Sequence, residues 1–243
     1  GTVTSGGALF RLARAESGLT YTVGTSPAHG TLSGDAPNLI YTPPANFNGP
    51  VSFTYRVSDG TAESGVATVA ITVNPANDLP VTNSQHLSTP EDVPLAVTLG
   101  GSDVDGDTLT FSLISAPAHG TLSGTAPNLT YIPAANYHGT DMFGFLVNDG
   151  HGGQVSATIY LTITPVNDVP VAVDDAYPLG EDMILSPITP AVGVLKNDTD
   201  VDGDTLTASL VSSPAHGTLT LQPDGRFTYT PTANFNGPDS FTY

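Results

Sequence analysis

The residues most suited to chemistry in this sequence are two clusters of aspartates. Asp103, Asp105 and Asp107 lie at alternate positions of GSDVDGDTLTF, and Asp200, Asp202 and Asp204 repeat that spacing in DTDVDGDTLTA. Carboxylates this close repel one another unless a cation lies between them. A glycine in each cluster lets the backbone turn tightly, so that alternate carboxylates can point at one centre. The pattern therefore predicts two oxygen-lined sites for a hard cation.

Calcium fits these loops better than magnesium does, because it accepts roughly six to eight oxygen ligands in irregular geometry. The loops are not EF-hand loops, since their glycine comes fourth after the first aspartate and no glutamate follows at the twelfth place. Further ligands must come from elsewhere in the chain. The candidates are acidic and amide side chains near prolines and predicted loops: Asn77, Asp78, Glu91, Asp92, Asp141, Asn167, Asp168 and Asp198.

Composition limits the possible partners and the fold. The formal net charge is −18, from 23 acidic and five basic residues, which argues against nucleic acid and anionic membranes as partners. There is no cysteine, so disulfides and thiolate metal sites are excluded. We find no signal peptide and no apolar run of about 18 residues, so we expect a soluble fragment without membrane insertion. The 26 glycines and 21 prolines favour an all-β fold rich in turns.

An internal repeat organises the chain. The stretch LTYTVGTSPAHGTLSG returns as LTFSLISAPAHGTLSG and as LTASLVSSPAHGTLTL, a period that indicates tandem domains rather than a solenoid. We predict unit 1 at 1–77, unit 2 at 78–167 and unit 3 at 168–243. Short alternating runs bounded by Pro, Gly and Asn predict about seven strands per unit, which suits an antiparallel immunoglobulin-like β-sandwich.

In unit 2 the strands A to G are predicted at 80–88, 94–99, 109–115, 120–124, 129–133, 142–147 and 155–164. Successive strands reverse direction, so the B–C, D–E and F–G loops share one end and the A–B, C–D and E–F loops the other. The linker before a unit therefore lies beside that unit's aspartate loop. Unit 3 ends within its F strand, and we expect either simple truncation, which we favour, or completion by a strand from a neighbouring copy.

Several of these motifs resemble a known family. The series NDLPV, EDVPL, DVDGDTLTF, PAHGTLSG, VNDG and TPVNDVPV is similar to the cadherin-like and immunoglobulin-like repeats of large calcium-dependent bacterial surface adhesins. The resemblance implies calcium clamped between consecutive sandwiches, in a secreted, extracellular protein at the cell surface. It places Asn77, Asp78, Asn167 and Asp168 in the linker motif, although the first aspartate of the cadherin linker is missing here.

We therefore expect a non-enzymatic structural or adhesive module that acts as an extender or filament segment. Its partners would be calcium, neighbouring copies, or a surface glycan or protein ligand. The alternative is a carbohydrate-binding module attached to a secreted polysaccharide-degrading enzyme, although the absence of tryptophan weakens that alternative. The three PAHG histidines are predicted to lie in separate turns, each with its glycine in the left-handed region.

The two junctions between units are predicted to be unequal. Aligning the repeats places Ala13, Ala15 and Ser17 where unit 2 has its three aspartates, so unit 1 has no acidic B–C loop. Val51 stands where the later units have Asp141 and Asp239. The junction between units 2 and 3 gains further carboxylates and should hold more ions, or hold them more tightly.

Overall fold

The computed structural model describes residues 2–4, 7–12, 18–187 and 189–243. The positions of Ala13, Ala15 and Ser17 therefore lie outside the described residues. Two sheets form within the first 73 residues. One has the order β1-β2-β5-β4 and the other the order β3-β6-β7. Their strands are β1 (Thr2–Thr4), β2 (Gly7–Arg11), β3 (Thr20–Val23), β4 (Thr31–Ser33), β5 (Asn38–Thr42), β6 (Gly49–Ser58) and β7 (Ala67–Val73).

Unit 2 forms an all-β sandwich of two sheets, with the orders β10-β13-β14-β8 and β11-β12-β9. Its strands are β8 (Gln85–Pro90), β9 (Leu95–Thr98), β10 (Thr110–Leu113), β11 (Gly120–Thr125), β12 (Asn128–Pro133), β13 (Gly139–Asn148) and β14 (Gln154–Thr164). Strand β8 pairs in parallel with β14, and the other strand pairs are antiparallel. The first part of the predicted A strand instead bridges Val81 to Ser102.

Alternating side chains on β13 build the core of unit 2. Phe143, Phe145 and Val147 are fully buried and pack with Ile159 of β14 and Tyr131 of β12. Of the intervening residues of β13, Met142 is exposed and Leu146 is half-buried, as the two-residue period of a strand predicts, whereas Gly144 is also buried.

Unit 3 has fewer paired strands. Strands β15 (Gly217–Leu221) and β16 (Phe227–Pro231) form a two-stranded sheet, and two short 3-10 helices follow one another at Pro190–Val192 and Val194–Lys196. Isolated bridges join Val171 to Thr199, Leu185 to Tyr229 and Ser212 to Thr242. A smaller core gathers around Val194, Ala208 and Phe227.

The glycines of the three PAHG turns correct a prediction. Gly30 has a φ of +81°, but Gly120 and Gly217 do not lie in the left-handed region. A Cβ atom at any of the three would collide with the tyrosine that packs on it, and these tyrosines are Tyr41, Tyr131 and Tyr229. Close packing of the ring therefore requires glycine at all three positions, and the left-handed backbone requires it in addition only at Gly30. Each histidine stacks on the aromatic ring of the following loop, in the pairs His29–Phe47, His119–Tyr137 and His216–Phe235.

Candidate metal centre

The first acidic cluster forms where two loops of unit 2 meet. The loop between β9 and β10 supplies Asp103 and Asp107, and the loop between β13 and β14 supplies Asp149. One carboxylate oxygen of each lies within 4.8 Å of the others. Asp149 is only 2% exposed, so this cluster is partly removed from water.

Asp149 is held in place from several sides. Its Oδ2 accepts a hydrogen bond from the Asn77 side-chain amide (2.8 Å), and its Oδ1 accepts the backbone N–H groups of His151 (2.7 Å) and Gly153 (2.9 Å). The hydrogen bond from Asn77 is the main reason that the pKa of Asp149 lies below its usual value, and it outweighs the effect of burial. A Cβ at position 153 would overlap the carboxylate, which requires glycine there. Asp149 is therefore a fixed, ionised ligand candidate.

The middle aspartate of the first cluster has a different role. Asp105 Oδ2 accepts the backbone N–H of Asp78 at 2.8 Å, which ties the linker to the loop. The backbone N–H of Asp105 donates to Asp103 Oδ1 at 2.8 Å. Asp103 Oδ2 is buried and has no hydrogen-bond partner among the described residues. A buried carboxylate oxygen without a hydrogen-bond partner is unfavourable, and a cation bound between it and the two neighbouring carboxylates would stabilise it.

The second cluster repeats this arrangement in unit 3. Carboxylate oxygens of Asp200, Asp202 and Asp204 lie within 4.8 Å of one another. Asp202 Oδ2 accepts the backbone N–H of Asp168 at 2.7 Å, as Asp105 does for Asp78. Asp200 Oδ1 accepts the backbone N–H groups of Asp202 (3.0 Å) and Asp204 (3.2 Å). Gly203 has a φ of +78°, which allows this tight turn.

Unit 2 contributes carboxylates of its own to the second junction. Glu91 is 2% exposed and follows β8, and its Oε1 accepts the backbone N–H of Val166 at 2.6 Å. Asp168 Oδ2 is buried without a partner among the described residues. Burial, together with the negative charges of Asp202, Asp92, Glu91 and Asp200, raises the pKa of Asp168. Carboxylates from both units therefore converge on the linker between them.

The donor set fits calcium. Every clustered group is a carboxylate, and oxygen ligands of this hardness select calcium or magnesium over softer metals. Two buried oxygens, Asp103 Oδ2 and Asp168 Oδ2, are unpartnered. The carboxylates that lie close enough together to share an ion are those of Asp103, Asp107 and Asp149 in the first cluster, and those of Asp200, Asp202 and Asp204 in the second.

Some residues predicted as ligands are used otherwise. Asp141 is 7% exposed, and its oxygens accept hydrogen bonds from three backbone N–H groups and the Tyr131 hydroxyl. Asp198 Oδ1 accepts the backbone N–H of Val173 at 2.8 Å and also lies near the Tyr243 hydroxyl. Both aspartates therefore stabilise turns within their own units, and their part in the second junction remains a prediction.

The remaining predicted residues shape the loops. Asn77 and Asn167 donate their side-chain amides to the carbonyls of Asp78 (3.0 Å) and Asp168 (2.7 Å). Asp92 Oδ1 accepts the backbone N–H of Asn136 at 3.1 Å. Sequence reasoning missed Asp149 and also His151, whose Nδ1 lies 3.0 Å from Asp107 Oδ2. The sequence signal for Asp149 was the VNDG motif, which contains it and spans the end of β13.

Comparison with family models identifies the domains. Residues 2–72 and 77–162 match the bacterial Ig domain, and together they make up more than half of the chain. The chain belongs to the bacterial Ig domain family. Residues 167–243 match the bacterial cadherin-like domain, so an Ig-type and a cadherin-type match follow one another along the sequence, as the predicted resemblance implied. No curated protein matches the chain.

Solved structures support the cadherin-like sandwich fold. Human CDH23 EC21-23 is 15% identical, with a TM-score of 0.54 over 90% of this chain and 80% of that one. Mouse Cadherin-23 EC22-24 is 16% identical, with a TM-score of 0.52 over 93% and 80%. The Ig-domain chain also matches 36% of the length of the endo-fucoidan hydrolase MfFcnA4 from glycoside hydrolase family 107, at 23% identity and a TM-score of 0.34. Identities this low show the fold alone.

Across the described residues, no helix has both the length and the apolar character needed to cross a membrane.

Proposed function

We propose that this chain is a calcium-stiffened structural or adhesive extender module of a secreted bacterial surface protein, built from units 1–77, 78–167 and 168–243. Cadherin-like and Ig domains are typical of extracellular adhesive or spacer modules and are generally non-enzymatic. The observation that carries the proposal is the meeting of acidic residues of both units at the linker, where Glu91 of unit 2 accepts the backbone N–H of Val166 at 2.6 Å and Asp202 of unit 3 accepts the backbone N–H of Asp168 at 2.7 Å.

Charge explains how such a junction can change its stiffness. Without a cation, carboxylates gathered around Asp168 repel one another, and each repulsion favours separating the two units. Bound calcium supplies the positive charge that cancels this repulsion. Glu91 and Asp168 then share an ion with Asp200 and Asp202, which fixes unit 2 against unit 3. Extracellular modules bind calcium at roughly 0.1 to 1 mM, so the junction would be filled outside the cell.

Thermal unfolding tests whether the folded chain binds calcium. We expect about 1 mM calcium to raise the melting temperature relative to a chelator, because ligand binding to the folded state alone stabilises it by mass action. The double variant Asp200→Asn/Asp202→Asn should lose most of the increase. The double variant Asp35→Asn/Asp174→Asn removes the same charge at two exposed positions and should keep the increase in melting temperature. Equal melting temperatures in calcium and in chelator for the unmodified chain would contradict the proposal.

A further inference from the structure

The only lysine of the sequence, Lys196, lies against an aspartate inside unit 3. Its Nζ contacts Asp175 Oδ1 directly and donates a hydrogen bond to the Tyr177 hydroxyl at 3.0 Å. The side chain of Asp175 is 6% exposed, and that of Lys196 is 32% exposed. An amine and a carboxyl group are therefore held together at a place from which most of the water around the carboxyl group is excluded.

Hydrogen bonds between two segments of unit 3 position this pair. Lys196 ends the second 3-10 helix, and Asp175 belongs to the segment by which the chain enters unit 3 from the linker. Asn197 donates its side-chain amide to the carbonyls of Val173 (3.0 Å) and Asp174 (3.2 Å). The residue after the lysine thus binds the residues before the aspartate, which fixes one segment against the other.

Aromatic side chains enclose the two groups. Lys196 Nζ lies 4.4 Å from the centroid of the Tyr177 ring. The Tyr243 hydroxyl lies 3.2 Å from Asp175 Oδ2, the oxygen that does not contact the lysine. Burial raises the pKa of Tyr243 above its usual value, so the hydroxyl keeps its proton and can donate it to Oδ2 in a hydrogen bond. The site therefore contains an amine, a carboxyl group and a neutral donor.

We propose that Lys196 and Asp175 condense to a side-chain amide bond that cross-links unit 3. The two groups begin as an ion pair, since the hydrogen bond to Asp175 raises the pKa of Lys196. A proton must first pass from Nζ to Asp175 Oδ1, which their direct contact allows, and burial favours the neutral amine and acid that result. The proposal does not rest on the proposed function, because no cation takes part.

The remaining steps release one water. The Nζ lone pair attacks Asp175 Cγ, and the Tyr243 hydroxyl stabilises the negative charge that develops on Oδ2. A second proton passes from Nζ to Oδ1, the Cγ–Oδ1 bond breaks, and Oδ2 becomes the amide carbonyl oxygen. The reaction consumes no co-reactant. Well-oriented groups in contact reach effective concentrations of about 10⁵ to 10⁸ M, which favours condensation.

Unit 2 has no pair that could react in this way. The bridges that open units 2 and 3 are equivalent, and they place Gln85 and Leu99 where unit 3 has Asp175 and Lys196. Leu99 is buried in the core of unit 2 and carries no nucleophile. In unit 3, residues 176–195 lie between the two joined positions. Tension that enters unit 3 from the linker would therefore pass through the amide and bypass that segment.

Intact mass spectrometry of the whole chain tests the bond. We expect the mass of the unmodified chain to lie below the mass calculated from its sequence by one water. Lys196→Arg keeps the positive charge but has a guanidinium group that stays protonated, so this variant should have its full calculated mass. Asp175→Ala removes the carboxyl group and should also have its full mass. An unmodified chain at its full calculated mass would overturn the proposal.

The arginine variant also separates this bond from another loss of water. An aspartate before a glycine, such as Asp59 before Gly60, can cyclise to a succinimide with the same change in mass. That reaction does not involve Lys196. A loss of one water that persists in Lys196→Arg would therefore overturn the proposal.

Digestion with a lysine-specific protease in denaturant gives a readout that does not depend on the folding of the variants during the assay. The protease cleaves after a free lysine, and the chain contains only one. We expect the unmodified chain to remain whole because its Nζ is acylated, and Asp175→Ala to be cut into two fragments. Complete cleavage of the unmodified chain after Lys196 would overturn the proposal.

Discussion

At the scale of single residues, Asp149 shows how position gives one carboxylate a role that its counterpart lacks. Asp59 occupies the equivalent place in unit 1, after the same long strand. Hydrogen bonds from the backbone N–H groups of Thr61 and Ala62, and from the Thr61 hydroxyl, lower the pKa of Asp59 to about 2. Asp149 instead receives the Asn77 amide and lies beside Asp103 and Asp107. The same loop position is therefore a turn cap in unit 1 and a ligand candidate in unit 2.

We expect Asp149→Asn to weaken calcium binding at the first junction by about tenfold or more, which corresponds to about 1.4 kcal/mol. This is a modest expectation, since a charge pair at about 4 Å contributes about 4 kcal/mol at an effective dielectric constant of about 20. Isothermal titration of the whole chain measures it as a loss of affinity in one class of sites. Asp59→Asn is the control and should titrate like the unmodified chain. Identical isotherms for the two variants would contradict the assignment.

The residues of the first cluster also show what the sequence could and could not predict. Asp103 and Asp107 were predictable because their spacing within one turn recurs in the next unit. Asp149 lies more than forty positions away, and its contact with the cluster depends on the long β13 ending at the level of the aspartate loop. The hydrogen bonds of Asp141 were not predictable, because an acidic residue at the start of a strand looks the same in sequence whether it faces solvent or the core.

At the scale of elements, Asp141 joins strand β13 to the PAHG turn. Its oxygens accept the backbone N–H groups of Ala118 (2.8 Å) and His119 (2.9 Å), and Tyr131 donates its hydroxyl at 2.9 Å. Asp239 makes the equivalent bonds to Ala215, His216 and Tyr229 in unit 3. Burial raises the pKa of Asp141, but the hydrogen bonds outweigh it, so the pKa lies below the usual value.

We expect Asp141→Asn to destabilise unit 2 by about 1 to 3 kcal/mol near neutral pH. The reason is that an amide has one oxygen and cannot accept hydrogen bonds from all of the backbone N–H groups and the Tyr131 hydroxyl. Since the folded-state pKa is depressed, this stability is present above the unfolded value of 3.8 and is lost as pH falls through the lower, folded value. Urea unfolding of the unmodified chain and of Asp141→Asn, across that pH range, measures the two free energies of unfolding. The difference between them should shrink in acid. A difference that is independent of pH would show that ionisation of Asp141 is not responsible.

Several strands lie where the alternation of apolar and polar residues in the sequence predicted them. Strands β11, β12 and β14 lie within a residue or two of their predictions. In β12 and β14 the reason is a row of alternate buried apolar side chains. The predicted A strand was displaced, since Val81 pairs with Ser102 and only the later part joins β14. Pairing partners of this kind are set by tertiary contacts that a local pattern does not encode.

At the scale of the whole molecule, the charge of −18 and the position of the carboxylates belong together. Self-repulsion of an acidic chain favours separation of its parts, and the acidic loops lie at the junctions, where separation has the largest effect. Under the proposed function, cation binding there would turn a chain of loosely connected units into a stiffer one. The predicted inequality of the two junctions remains a prediction.

Small-angle scattering of the whole chain in calcium and then in chelator tests the central claim most directly. We expect calcium to increase the radius of gyration and the maximum dimension, because fixing unit 2 against unit 3 removes bent arrangements of the second joint. Asp200→Asn/Asp202→Asn should lose most of this increase, because the second cluster can then no longer hold an ion between units 2 and 3. Superimposable profiles for the unmodified chain with and without calcium would contradict the account.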